Sequence, residues 1–344
     1  MLLAVGCVAA PKPGAGPFVL ALRYDVEPVR IGLSEGAHLE TAREHFTKIA
    51  ELGFDTAVLQ HVADEDRTSL LDLAAECGLR LAVPDRRIDY FVKTGVWAST
   101  PMLSATELAA RVGPPASHPA FAALVLQGAG GDGSRSRAAR VRELLDAQGV
   151  PVLCLGETQP GASLPAIVNT AGLWDGPPSE AAGRLLAQYF DALAHGRTGG
   201  VIVDRFARLP GDAPGVQNPS AELLAGHRAA LAELAARARR WGPLLVGAET
   251  SDVPLPDDLS AEVRLTVLHR GQRRYLLVAN GAGATFLRQV VRLPATMAGA
   301  TVARAVEVPS TAERGAGRVM HAVGRDLSLP IDLRPRDAAL FELF

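Results

Sequence analysis

Gly53-Phe54-Asp55-Thr56-Ala57-Val58-Leu59-Gln60 and, further on, Gly78-Leu79-Arg80-Leu81-Ala82-Val83-Pro84 decide the fold. In both, a glycine ends a helical pattern and a short β-type apolar run starts at once. Gly149, directly before Val150-Pro151-Val152-Leu153-Cys154-Leu155, repeats the arrangement. Upstream of these glycines the apolar residues fall on helical stripes: Leu39, Ala42, Phe46, Ile49 and Ala50, then Leu70, Leu73, Ala74 and Cys77, then Val141, Leu144 and Leu145. Leu185, Leu186, Phe190 and Leu193 form another such stripe. Helix followed by strand, repeated along a chain, builds a parallel sheet.

Working outward, β-type runs occur at residues 18–24, 56–60, 79–83, 122–127, 150–155, 166–169, 200–204 and 244–247. Eight runs alternating with helices predict a (β/α)8 TIM-like barrel over residues 18–250, in which the C-terminal strand ends carry the site. Residues 86–117 show no helical pattern before 104–112, where Ser104 and Glu107 have capping-box spacing; the earlier part is expected to be a long loop on that face. A long helix over 220–241 precedes the last predicted strand, and the Pro/Asp-rich residues 251–260 read as a linker. From residue 261 the pattern changes to period two. Val263, Leu265 and Val267 alternate with Arg264 and Thr266, Arg270-Gly271-Gln272 makes a turn, and further runs follow, predicting a small β-sandwich over 261–344.

The chain has 344 residues, of which 48% are hydrophobic and 21% charged, enough apolar material for a large core and against disorder. Lys+Arg at 35 against Asp+Glu at 37, with no long basic block, argues against a nucleic-acid or anionic-membrane partner. A neutral small molecule or carbohydrate suits this balance better. No stretch is long and apolar enough to span a bilayer. Cys7, Cys77 and Cys154 cannot all pair, and Cys77 and Cys154, inside apolar segments, are expected to be buried and unpaired. Met1-Leu2-Leu3-Ala4-Val5-Gly6-Cys7 is similar to the end of a bacterial lipoprotein signal, and the Pro/Gly-rich residues up to 17 read as a tether, which points to the cell envelope or periplasm. It lacks the basic and full apolar regions of such a signal, so a frayed terminus on a cytoplasmic protein is the other reading.

The β part opens with Arg270-Gly271-Gln272 and Tyr275-Leu276-Leu277-Val278-Ala279-Asn280, and closes with Pro335-Arg336-Asp337-Ala338-Ala339-Leu340-Phe341-Glu342-Leu343. With the units at Gly53 and Gly78, the chain resembles bacterial glycoside hydrolases, in particular β-galactosidase-like barrel proteins with a C-terminal β-sandwich. The resemblance implies a general acid/base Glu at the end of strand four, after a His-Pro, and a nucleophile at the mouth of strand seven. The chain keeps His118-Pro119 but reads Gln127-Gly128-Ala129-Gly130-Gly131-Asp132-Gly133 where the acid is implied. Glycoside hydrolysis uses two carboxyl groups, and Gln127 can hydrogen-bond a sugar but cannot give up an acidic proton.

Asp204, ending the seventh run, is the candidate nucleophile; pairing with Arg205 or Arg208 is its structural alternative. Asp85, at the end of the third run, opens the polar cluster Asp85-Arg86-Arg87-Ile88-Asp89-Tyr90, read either as an ion-paired loop or as part of the site, with Asp85 as a catalytic carboxylate and Asp89 and Tyr90 contacting substrate. Glu157 and Glu249 are candidates for the second carboxylate, and Asp132 is a third if its loop folds back. Trp174 and Asp175 offer an indole platform and a hydrogen-bond partner for a sugar ring, or else a Trp covering the barrel end.

His61, Asp64 and Asp66 lie close together in sequence but are expected to serve the start of a helix, so no metal is expected. Gly128 to Gly133 matches Gly-x-Gly-x-x-Gly between a strand and a helix, with Glu157 at the next strand end, which keeps a dinucleotide-dependent oxidoreductase open. No Gly-x-Ser-x-Gly or Walker-type Gly-Lys-Ser/Thr is present. The expectation is a glycoside hydrolase-like, carbohydrate-active protein without cofactor, whose acid on strand four is missing and whose site has lost its chemistry. A non-catalytic sugar-binding relative is the further alternative.

Overall fold

The computed structural model describes residues 18–25, 35–96, 104–127, 132–155, 164–170, 177–204, 221–253, 256, 259–260, 262–283, 285–297, 300–310, 317–323 and 326–344. The first part alternates strands and helices: β1 (Val19–Asp25), α1 (Glu35–Glu51), β2 (Thr56–Gln60), α2 (Arg67–Glu76), β3 (Arg80–Pro84), α3 (Arg86–Thr94), α4 (Ala105–Ala116), β4 (Phe121–Gln127), α5 (Asp132–Asp146), β5 (Val152–Leu155), β6 (Ala166–Asn169), α6 (Ala181–Ala194), β7 (Gly200–Asp204) and α7 (Ala221–Leu245). Gly53, Gly78 and Gly149 have φ of 90°, 70° and 70°, the left-handed conformation that stops a helix cheaply only without a Cβ. Ser104 caps α4 in a full capping box with Glu107.

The parallel sheet has seven strands in the order β5-β4-β3-β2-β1-β7-β6, the succession of a barrel that is half-closed. This corrects the expected eight. The apolar residues 244–247 do not form a strand: Leu244 and Leu245 belong to the last turn of α7, where Leu245 is buried with Trp241 in the helix-facing core. β7 pairs directly with β1, Val19 opposite Gly200 and Leu22 opposite Val203, so no place remains between them. A side chain at Gly200 would collide with the Val19 carbonyl, so the close β1/β7 seam requires glycine there.

Side chains alternate across this sheet. Leu20, Leu22, Leu59, Leu81, Val83, Val168, Val201 and Val203 pack against the helices, with Phe46, Ile49, Leu70, Phe190 and Trp241. Ala21, Val58, Ala82, Val125, Leu153 and Ile202 form a separate small core on the opposite, inner face. The expected long loop after β3 is also corrected: residues 86–94 are helical, because Asp85 accepts hydrogen bonds from the Arg87 and Ile88 amides while Ile88, Phe91 and Val92 bury one face.

The second part consists of β8 (Glu249–Asp252), β9 (Val263–Arg270), β10 (Arg273–Asn280), β11 (Leu287–Pro294), the short β12 (Thr296–Met297) and β13 (Ala300–Thr301), β14 (Arg304–Val308), β15 (Val319–Val323), β16 (Asp326–Leu333) and β17 (Ala338–Leu343). The predicted turn is observed: β9 and β10 pair from Arg270 opposite Arg273, with Gly271 at φ 61°. Eight strands hydrogen-bond in one antiparallel sheet, β11-β16-β15-β14-β17-β10-β9-β8, where two separate layers were expected. Leu265, Val267 and Leu276 from one end share a core with Leu293, Leu327 and Leu329 from the other, so the sheet folds over itself. The residues read as a linker include part of β8, which pairs with β9.

The two parts are joined by packing. Leu268, Tyr275, Leu277 and Leu340 of the antiparallel sheet belong to the same core as the helices of the parallel part. Arg237 of α7, 2% exposed, reaches Asp337 at 2.9 Å and lies over the rings of Trp241 and Phe190. No helix among the described residues is long and apolar enough to cross a membrane. Neither Cys77 nor Cys154 is in a disulfide, and both are half-buried rather than buried.

Candidate active site

The alternation that places Ala21, Val58, Val125 and Ile202 on the inner face also places the residues two further along each strand there. These are Arg23 on β1, Gln60 on β2, Gln127 on β4 and Asp204 on β7; Asn169, paired in register with Asp204, ends β6. A small apolar floor is therefore followed, at the C-terminal strand ends, by polar side chains. Position on the sheet assembles them, since they are scattered from residue 23 to residue 204 in the chain.

Arg23 donates to Asp204 at 2.7 Å, with side chains 28% and 20% exposed. Gln60, its amide turned so that the oxygen faces β1, accepts from the same guanidinium. The Thr170 hydroxyl donates to the Asp204 carbonyl at 3.2 Å, and the Asn169 amide and carbonyl are both bonded by Gln188 of α6. At the ends of β1 and β2, Asp25 lies 3.1 Å from Nδ1 of His61, which is held at φ 51°. The Arg86 guanidinium donates to the His61 carbonyl.

Asp85 is fully buried. Besides capping α3 it receives Arg111 at 2.7 Å and Arg67 at 3.2 Å, and both guanidinium groups continue to Asp64 at 2.8 Å. Burial raises the Asp64 carboxyl, but the Arg111 hydrogen bond with the Arg111, Arg67 and Arg87 charges outweighs it and leaves Asp64 below its ordinary value. Asp85 is thus the locked end of a four-residue ion network that fixes the start of α3. Its oxygens are spent on that network and on the cap, which corrects its reading as a catalytic carboxylate.

Asp89, one turn further along α3, differs. Its carboxyl is half-buried. Burial pushes it up to about 6, against the Gln127 amide and the Lys93 charge and with Asp85 adding to the rise. Tyr90, beside it, is 56% exposed.

The other candidates fall elsewhere. Glu249 lies on β8 opposite His269, in the antiparallel sheet, and so does not follow a barrel strand. Asp132 lies in the first turn of α5, fully exposed and 3.7 Å from Arg135. Cys7, Glu157, Trp174, Asp175, Arg205, Arg208 and residues 128–131 of the glycine-rich motif lie outside the described residues. Asp66 is buried, 3.8 Å from His38, and among the described residues no group of three or more His, Cys, Asp or Glu side chains could hold a metal ion. Arg23 as the partner of Asp204 was missed because it lies 181 residues away; its signal was a charged residue directly after the apolar run Val19–Leu22 of β1.

No protein-family model matches the chain, and no curated protein matches it. Among solved structures, the α-amylase of Geobacillus thermoleovorans, complexed with acarbose, aligns with 94% of this chain and 98% of its own at TM-score 0.50 and 9% identity. A maltogenic α-amylase from Thermotoga neapolitana aligns over the same shares at TM-score 0.49 and 9% identity. A GH30 endoxylanase from Clostridium papyrosolvens aligns over 98% of both chains at TM-score 0.43 and 10% identity. At such identity it is the fold that is shared, and the first alignment carries it: the chain has a glycoside hydrolase-like fold, a curled parallel sheet followed by an antiparallel β domain.

Proposed function

We propose that this protein is carbohydrate-active and glycoside hydrolase-like, taking a saccharide at the C-terminal ends of β1, β2, β4, β6 and β7. The observation that carries the proposal is the set of polar ends, Arg23, Gln60, Gln127, Asn169 and Asp204, which begins directly above the apolar floor of Ala21, Val58, Val125 and Ile202. Fork-shaped guanidinium, planar amides and a carboxylate suit sugar hydroxyls, which both donate and accept. The overall architecture shared with an α-amylase supports the same reading. The β-galactosidase-like sequence features and a location at the cell envelope are the finer parts of this proposal.

A saccharide-binding protein without turnover is the second reading, favoured by Gln127 at the end of β4. The strand order gives the dinucleotide reading no support, since it runs β5-β4-β3 past the glycine-rich motif without reversing there. The test is titration of the full chain with a panel of α- and β-linked gluco-, galacto- and xylo-oligosaccharides, and with NADH as a control. Saccharide binding that weakens at least about tenfold in Asp204→Asn supports the proposal. NADH binding with no saccharide binding overturns it.

A further inference from the structure

We propose that the protein has a second saccharide site, apart from the strand ends, in the cavity between α6, α7 and the antiparallel sheet, where Phe286, Arg334, Arg336, Glu180 and Glu233 hold a mono- or disaccharide unit. This site goes beyond the strand-end proposal and shares with it only the class of ligand.

The cavity has a volume of about 370 Å³, within the range of about 300–1,000 Å³ typical of small-ligand clefts. One wall is the start of α6 with the turn before it, carrying Glu180, Gly183 and Leu186, and Glu233 of α7 adjoins it. The facing wall is the connection between β10 and β11, with Phe286, and the turn between β16 and β17, with Arg334 and Arg336. A helix that follows a strand of a parallel sheet starts at that strand's C-terminal end, so the cavity lies toward the same end of the sheet as Asn169 and Asp204. Gln188, two residues past Leu186 on α6, is the side chain that bonds Asn169.

The facing wall is held in place by Asn280, the buried residue that closes the run Leu276-Leu277-Val278-Ala279-Asn280. Its side-chain amide donates to the carbonyls of Thr285 at 2.9 Å and Arg334 at 3.1 Å, while its oxygen accepts from the Ala282 amide at 3.2 Å. The Arg336 N–H donates to the Ala282 carbonyl at 3.2 Å and ties the two connections to each other. Arg336 stands at φ 58°, a left-handed conformation that a residue with a long side chain adopts only under constraint. A ligand entering the cavity therefore meets a wall that is already ordered, and little chain freedom is lost on binding.

The chemistry of the lining selects the ligand. Arg336 pairs with Glu180 at 3.4 Å, and Arg334 pairs with Glu233 at 3.2 Å and with Asp337 at 3.6 Å. Acids and guanidinium groups alternate around the cavity, so charge of one sign does not accumulate there to select a phosphate or a metal ion. Neutral hydroxyls suit such a rim, because each can donate to a carboxylate and accept from a guanidinium. Arg334 and Glu180 are exposed, and ion pairs of that kind give way to a ligand at little cost. The apolar part matches as well: Phe286 is 53% exposed with the Arg288 guanidinium over its ring, and the buried Leu186 lines the α6 side. The C–H face of a pyranose packs on an aromatic ring.

The experiment titrates the full chain calorimetrically with α- and β-linked gluco-, galacto- and xylo-disaccharides, as wild type, Phe286→Ala, Arg336→Gly and Asp204→Asn. Phe286→Ala removes an exposed ring, and glycine takes the φ of Arg336 without strain, so both are expected to keep the wild-type thermal midpoint within a few degrees. The expected result is disaccharide binding at two sites in the wild type. One of them weakens at least about tenfold in Phe286→Ala and in Arg336→Gly, and the other weakens in Asp204→Asn. Binding that weakens in Asp204→Asn while both cavity variants match the wild type overturns the cavity site and leaves the strand-end proposal standing. The reverse pattern supports the cavity site and overturns the strand-end proposal, and no disaccharide binding at all overturns both. Arg336→Gly, which relieves strain, decides the outcome if Phe286→Ala proves unstable.

Discussion

The guanidinium of Arg23 on β1 holds the carboxylate of Asp204 on β7 at 2.7 Å, across the seam where those two strands pair directly. Both side chains stand above the apolar inner core, where each neutralises the other. Removing one leaves the other partly buried beside Ala21 and Ile202. Arg23→Met and Asp204→Asn are each expected to cost about 1–3 kcal/mol, and the double variant less than the sum, with a coupling of about 0.5–3 kcal/mol. Urea unfolding of the four proteins in a double-mutant cycle measures this.

The fully buried Asp85 should matter more for stability. Replacing it with alanine deletes the cap of α3 and leaves Arg67 and Arg111 facing an empty position, for an expected loss of about 3–5 kcal/mol. A thermal-unfolding midpoint within a few degrees of the wild type would show that the network contributes little.

Asp64 belongs to the same network, and its lowered carboxyl sets the sign of an acid effect. The stability it contributes is present above its ordinary value of 3.8 and is lost as pH falls through the lower folded value. Asp64→Asn should therefore unfold more easily than the wild type at neutral pH and show a shallower loss of stability below about pH 4. Denaturant midpoints collected across that range check it.

Asp89 acts in the opposite direction. Its folded value of about 6 lies above the ordinary 3.8, so its contribution is fully present below 3.8 and is lost as pH rises through 6. Asp89→Asn, which cannot ionise, should match the wild type near pH 3.5 and exceed it by about 1–3 kcal/mol at pH 7. A variant that is less stable than the wild type at pH 7 contradicts this, and the measurement needs no substrate.

Arg237 joins the two parts of the molecule through bonds to Asp337 and to the Ala338 carbonyl while stacking on Trp241. Lysine can supply the charge but neither the fork nor the flat face. Arg237→Lys is expected to lose about 2–4 kcal/mol, nearly as much as Arg237→Ala. Calorimetric unfolding should show it, together with earlier protease cleavage between the two parts.

By itself the sequence determined the alternation of helices and strands, the glycines that end helices, the Ser104–Glu107 box, the β9–β10 turn and the change to period two. Each depends on conformational preferences and contacts within a few residues, and such local terms are written in local order. It also marked the strand ends as polar. Tertiary structure decided the rest. Residues 244–247 are apolar enough for a strand or a buried helix end, and only the direct β1/β7 pairing, with Trp241 and Leu245 packed beneath it, selects the helix. The same choice carried Glu249 into the antiparallel sheet. Asp85 and Asp89 are one helical turn apart, yet one is clamped by two arginines and the other is raised by burial. Ionisation is set by burial and by charges brought in from distant elements, and those distances exist only once the chain has folded.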